Sequence, residues 1–209
     1  MSEHDKYVIT ISRQLGSGGS YIGKRLAEVL GIKYIDRDIL YKAAEELKVL
    51  EDEQETHNKE AFWMNFIGGI VYPSTYIGPN YMVNIGDRLY EQQAQIIRRI
   101  SKECSCIIVG RCCSHILDTQ PNHISIFLHA DKDLRVKRIE SLYNLSEKQA
   151  TKLVDKNDAE RNTYYHTHTG NDWKDATQYH LCLDTGILGF EKAEKVIIDY
   201  VKTFNNKIV

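Results

Sequence analysis

With 209 residues, 42% of them hydrophobic and 27% charged, the chain has the make-up of one large globular domain, or of one domain with an inserted lobe. A net charge of −2 and a pI of about 6.4 argue against a general nucleic-acid or membrane-surface role, so any positive charge must be gathered locally. The N-terminal Met1-Ser2-Glu3-His4-Asp5 lacks the basic-then-apolar layout of a signal peptide. The five cysteines (Cys104, Cys106, Cys112, Cys113, Cys182) match no usual zinc spacing, so a reduced, cytoplasmic setting is expected.

The first elements read as strand, glycine-rich turn and helix. Tyr7 to Ile11 is an uncharged, β-branched run that suits a strand buried on both faces. Ile22, Leu26, Val29 and Leu30 have helical spacing, and Gly31 stands where a helix would stop. Between them, Gly16-Ser17-Gly18-Gly19-Ser20 carries little side-chain bulk, so its amides can approach an anion at the helix N-terminus. The phosphate-loop pattern is G-x-x-x-x-G-K-[ST]. Set against it, the chain is read as keeping Gly16 and Gly18, with Arg13 for the first Gly, Gly19 for the Lys and Tyr21 for the magnesium-holding hydroxyl, which Ser20, one position early, would replace. The dinucleotide fingerprint G-x-G-x-x-G fails at its third glycine, where Tyr21 stands. Phosphate binding is the favoured expectation, against a tight turn with no ligand.

A second strand, Ile32 to Ile35, ends at Asp36-Arg37-Asp38, and a helix is expected from Ile39 to Leu47. Leu50 to Glu60 is an acidic, solvated connector. Ala61 to Gly86 then contains no charged residue and is rich in aromatics, but Asn65, Gly68-Gly69, Pro73, Gly78-Pro79-Asn80 and Asn84 break it into pieces too short and polar to span a bilayer. It is expected to form an inserted lobe, about residues 50–86, that covers a pocket or joins two copies of the chain as a homodimer.

A helix from Asp87 to Lys102 leads to an apolar strand, Cys106 to Val109, that stops at Gly110-Arg111. A short helix, Ser114 to Leu117, precedes the strand His123 to Leu128. Helices follow at Asp131–Tyr143 and from Ser146 to about Tyr164, the latter opened by the capping box Ser146-x-x-Gln149. His180 to Asp184 is the last strand and Gly189 to about Phe204 the closing helix. Five short strands alternating with helices mean an α/β fold with a parallel sheet covered on both faces, and ligands of such sheets bind at the carboxyl ends of the strands. The glycine-rich loop, Asp36-Arg37 and Gly110-Arg111 all fall there. His166-x-His168 has no third ligand nearby and reads as a polar loop.

Four segments together carry a resemblance. They are Thr10-Ile11 through Tyr21, Tyr34 through Lys42, Ile107-Ile108-Val109-Gly110-Arg111 with Ile126 through Ala130, and Asp155 through Asn162. In this order and spacing the chain resembles the cytidylate kinase-like branch of P-loop nucleoside monophosphate kinases, over nearly its whole length. The resemblance implies one P-loop NTPase-type three-layer sandwich over residues 1–209, with a helical lid at about 146–172. It implies transfer of the γ-phosphate of ATP, with Mg2+, to a nucleoside monophosphate, CMP or dCMP first, and no nucleic-acid or membrane partner. Arg13, Gln14, Gly16, Ser17, Gly18, Gly19, Ser20 and Tyr21 would hold the nucleotide. Arg111 would hold the acceptor phosphate, with Arg37 and Lys42 beside it. Lys156 and Arg161 would close over the transferring group, and Asp36 would orient the metal shell or the acceptor. Either Arg13 or Lys24 would supply the charge missing at Gly19, Arg13 being the better placed. Cys112 replaces the base-reading Asp of the family's Gly-Arg-Asp motif, which opens the choice of acceptor. A nucleotide-binding module without transfer, and a dinucleotide enzyme with Asp36 on a ribose, are the alternatives.

Overall fold

The computed structural model describes residues 6–36 and 79–205, the side chains of 79–89 and 205 excepted. Its core is a parallel sheet of β1 (Val8–Arg13), β2 (Lys33–Ile35), β3 (Cys106–Val109), β4 (His123–His129) and β5 (Leu181–Asp184), in the order β2-β3-β1-β4-β5. β1 is central, pairing Ile11 with Val109 on one side and with Ile126 on the other. The apolar runs predicted as doubly buried strands are so: Ile9, Ile11, Ile107, Ile108, Ile124 and Ile126 are all fully buried. Each contributes roughly 1.5–3 kcal/mol by leaving water.

The helices are α1 (Gly19–Leu30), α2 (Pro79–Glu103), α3 (Cys113–Ile116), α4 (Lys132–Tyr143), α5 (Glu147–Thr169) and α6 (Thr185–Asn205). Ile22 and Leu26 of α1 pack with Ile197 and Val201 of α6 on one sheet face, and Ala94 and Ile97 of α2 pack with Ile116 and Leu117 on the other. This is the three-layer α/β sandwich expected from the strand pattern.

Two boundaries differ from expectation. α2 begins at Pro79, eight residues before Asp87, so the end of the uncharged stretch is helical. Proline at a first helical position gives up only an N–H that has no partner there, and Asn80 and Asn84 did not stop the helix. α5 runs past Tyr164 to Thr169 and is closed by left-handed Gly170, which puts His166 and His168 in its last turn rather than in a loop. At its other end the predicted capping box is present. Gly189, the expected start of the last helix, is instead a non-helical kink inside α6. The rest of the lobe, the helix expected at Ile39–Leu47, and Arg37 and Lys42 lie outside the described residues. No helix among the described residues is long and apolar enough to cross a membrane.

Candidate functional site

At the carboxyl end of β1 the chain turns through Gly16 (φ 81) and Gly18 (φ 82) into α1. Both are left-handed positions that glycine fills without strain, and both are crowded. A Cβ on Gly16 would lie 2.8 Å from the Arg135 carbonyl oxygen, and one on Gly18 would strike the Phe190 ring.

The turn is held by its carbonyls. Arg161 Nη1 donates to Arg13 O (2.7 Å), Arg135 Nη1 to Leu15 O (3.0 Å), Arg138 Nη1 to Gly16 O (3.1 Å) and Thr185 Oγ1 to Ser17 O (2.8 Å). Ser17 Oγ donates to Gln14 O (2.9 Å). Among the described residues, none accepts from the amides of Gly16, Gly18, Gly19 or Ser20. Carbonyls drawn back by donors, with amides left at a helix N-terminus, make the arrangement that suits an anion.

Helix α5 is tied to this loop. Asp158 of α5 accepts from the Leu15 amide (2.9 Å) and pairs with Arg135 of α4 (2.7 Å), both carboxylate and guanidinium being buried. Arg161, three residues on, shares that face of the helix. Lys156 does not. It pairs with Glu160 at 3.7 Å and lines a shallow recess of the outer face with Lys148, Lys152 and Asp155. Two residues before Asp158 means about 200° around a helix, so Lys156 and the Asp158–Arg161 stripe point apart.

At the end of β3 the backbone is strained. Gly110 (φ 85), Arg111 (φ 58) and Cys112 (φ 53) are three left-handed residues in succession. For the two that are not glycine this costs on the order of 1 kcal/mol each, and such strain gathers at functional sites. The turn brings the Arg111 guanidinium to 5.7 Å from the ring centroid of Tyr164 on α5. Burial pushes the Tyr164 hydroxyl and the Cys112 thiol both up to about 12, so both are neutral in ordinary buffers. Cys112 therefore offers no thiolate beside Arg111, and its packing against Phe127, Tyr165 and Trp173 makes it a core residue.

The other predicted residues fall as follows. Gln14 turns to β4, its Oε1 accepting from the Ala130 amide (3.3 Å). Ser20 is exposed at the second residue of α1 and itself takes the pattern's hydroxyl place, one residue before the Tyr21 expected there, while Tyr21, 54% exposed, packs its ring 5.3 Å from Phe190. Asp36 follows β2, which pairs with β3 and not with β1. In a dinucleotide fold the ribose-holding acid ends the strand next to β1, so the sheet order removes that alternative. Ser20 and Asp36 offer the hard oxygen donors that suit Mg2+. No group of three or more His, Cys, Asp or Glu able to hold a metal occurs among the described residues.

Arg135, Arg138, Asp158 and Thr185 were not singled out from sequence. The spacing of three in Arg135/Arg138 and in Asp158/Arg161 puts each pair on one helix face. That they turn towards the first loop is a property of the tertiary fold.

The comparisons with known proteins bear on the family and the fold. No curated protein matches the chain. A crystal structure of an uncharacterized protein from Eubacterium ventriosum ATCC 27560 is 26% identical, with a TM-score of 0.72 over 94% of this chain and 99% of that one. Shikimate kinase from Bacteroides thetaiotaomicron (14% identity, TM-score 0.52, 94% and 98% covered) and TT1252 from Thermus thermophilus (17%, 0.52, 93% and 97%) share the fold. The fold is thus that of the P-loop kinases. The profile of the cytidylate kinase-like family matches residues 8–187, most of the chain, and the chain belongs to that family.

Proposed function

We propose that this chain transfers the γ-phosphoryl group of ATP to the phosphate of a nucleoside monophosphate, with CMP or dCMP as the first acceptor to test. The observation that carries the reading is the loop after β1, whose carbonyls are held back while its amides of Gly16, Gly18, Gly19 and Ser20 have no acceptor among the described residues. These amides take the donor's phosphates. Arg111 takes the acceptor's phosphate, with Arg37 and Lys42 beside it on the resemblance alone. Arg13 and Arg161 add positive charge between the two, and Asp36 orients the acceptor or the water around a metal.

Such a site needs alignment and charge, and little covalent help. An acceptor phosphate oxygen bonds to the γ-phosphorus, the bond from that phosphorus to the β–γ bridging oxygen breaks, and its electron pair leaves with ADP. The acceptor is already ionised, so no side chain has to remove a proton. A magnesium ion bound with the nucleotide would neutralise part of the phosphate charge, with Ser20 and Asp36 as the candidate oxygen donors. All five cysteines are free thiols, in keeping with a reducing, cytoplasmic setting.

The test is ADP release across CMP, dCMP, UMP, AMP, GMP and shikimate. Turnover on one monophosphate, lost in Arg111→Ala, is the expected result. A second reading, a nucleotide-binding module without transfer, follows from Gly19 in place of the lysine. Tight ATP binding with no turnover on any acceptor would favour it.

A further inference from the structure

Gly19 opens α1 and Gly110 follows β3, and one side chain accounts for both. A Cβ built on Gly19 lies 2.7 Å from both Cβ and Cγ of Arg13, and one built on Gly110 falls on Arg13 Nη1, with Cζ at 3.2 Å. The Arg13 side chain therefore runs from the end of β1, against the first residue of α1, to the turn that carries Arg111. Its charge is felt by the Cys113 thiol at the start of α3. Gly19 sits in a helix, with no positive φ to require glycine. What forbids a larger residue there is the Arg13 stem.

Position 19 is where the phosphate-loop pattern carries its lysine. A lysine there begins with the Cβ that Arg13 excludes, so the two cations cannot share this loop in its present form. Replacing one by the other is also not neutral. A lysine is a point charge on a flexible stem, whereas a guanidinium is a planar fork that reaches two oxygens at once.

We propose that Arg13, slotted between Gly19 and Gly110, is the cation that bridges the donor's terminal phosphate and the acceptor's phosphate, taking from the strand side the place that the pattern gives to a helix lysine. The inference rests on the kinase reading of the same site. The stem lies against the first residue of α1 and the guanidinium lies at the turn of Arg111, so the charge stands between the donor's loop and the acceptor's arginine. Its part in the transfer described above is to neutralise and align; it neither gives nor takes a proton.

The test uses the full chain and four variants: Arg13→Ala, Arg13→Lys, Gly19→Lys and the double exchange Arg13→Gly with Gly19→Lys. Circular dichroism melting checks that each is folded. With the best acceptor, Arg13→Ala should lower kcat about 10³-fold and Arg13→Lys about 10²-fold, because charge without the fork is not enough. Gly19→Lys should be as poor as Arg13→Ala, and the double exchange should recover at least about tenfold over either. Calorimetric titration with ATP and with ADP separates this inference from the reading beneath it. A fork on the terminal phosphate makes the wild type bind ATP at least about tenfold tighter than ADP, a preference that Arg13→Ala removes. ATP binding without turnover on any acceptor would end the kinase reading, and the ATP-to-ADP ratio would still judge Arg13. Arg13→Ala with kcat within threefold of wild type, or an ATP preference unchanged by that substitution, would overturn the proposal.

Discussion

The two ends of the sheet handle buried polar groups in opposite ways. At the carboxyl end, loops turn through left-handed residues, and arginines from α4 and α5 hold the backbone oxygens so that amides and charges face one place. In the amino-terminal half a buried polar group is held neutral. His123 is buried, its Nε2 2.7 Å from Thr10 Oγ1, and His180 Nδ1 accepts from the Ser125 amide at 2.9 Å. Burial, with His180 nearby, pushes the His123 imidazole down to about 4. One end gathers arginines around amides that have no acceptor among the described residues, and the other buries a neutral imidazole. Damage at the first should therefore reach activity, whatever it does to stability, and damage at the second should be read in stability alone.

The largest expected effect separates strain from function. Arg111→Gly relieves a left-handed backbone at φ 58 while removing the cation. Transfer should fall by about 10³-fold with the melting temperature held within about 2 °C, because the relieved strain offsets the entropy of the added glycine. A melting temperature many degrees lower would mean that Arg111 serves the fold rather than the site.

Asp158→Ala comes next. It strands the buried Arg135 and frees the Leu15 amide, so it should cost about 3–5 kcal/mol in denaturant unfolding. A loss under about 1 kcal/mol would show that α5 is not fastened to the loop through this pair.

At the other end, the neutral His123 gives the protein an acid weakness. Its folded value lies below the ordinary 6.5, so the stability that it supports is complete above pH 6.5 and drains as the pH falls towards 4. The total is about 3 kcal/mol for a shift of this size. A pH series of unfolding curves should show that slope in the wild type and lose it in His123→Gln. An unchanged slope would place the acid sensitivity elsewhere. The smallest effect is expected from Ser20→Ala, about three- to tenfold in kcat with a raised magnesium requirement. No change in that requirement would take Ser20 out of the metal shell.

How much of this was legible in the sequence differs between the two ends. The five strands were readable because an apolar, β-branched run has few other destinations, and the first loop because glycines at 16 and 18 leave few other conformations. Arg111 was readable only through its neighbours. Nothing in the types Arg and Cys announces two left-handed residues, the second of them in a buried aromatic cluster. Lys156 was grouped with Arg161 by proximity along the chain, although helical phase separates them. The Arg13 slot was half visible. The missing lysine could be seen, but the reason for Gly19 needed the path of a side chain that starts six residues earlier.

The central claim is that bare amides after β1 grip a polyphosphate, and amide NMR tests it most directly. On titration of the 15N-labelled chain with ADP, the Gly16, Gly18, Gly19 and Ser20 signals should move furthest and saturate together, while those of Ser125 and His180 stay in place. Saturable ADP binding that leaves those four amides unmoved, or no binding at all, would contradict the account.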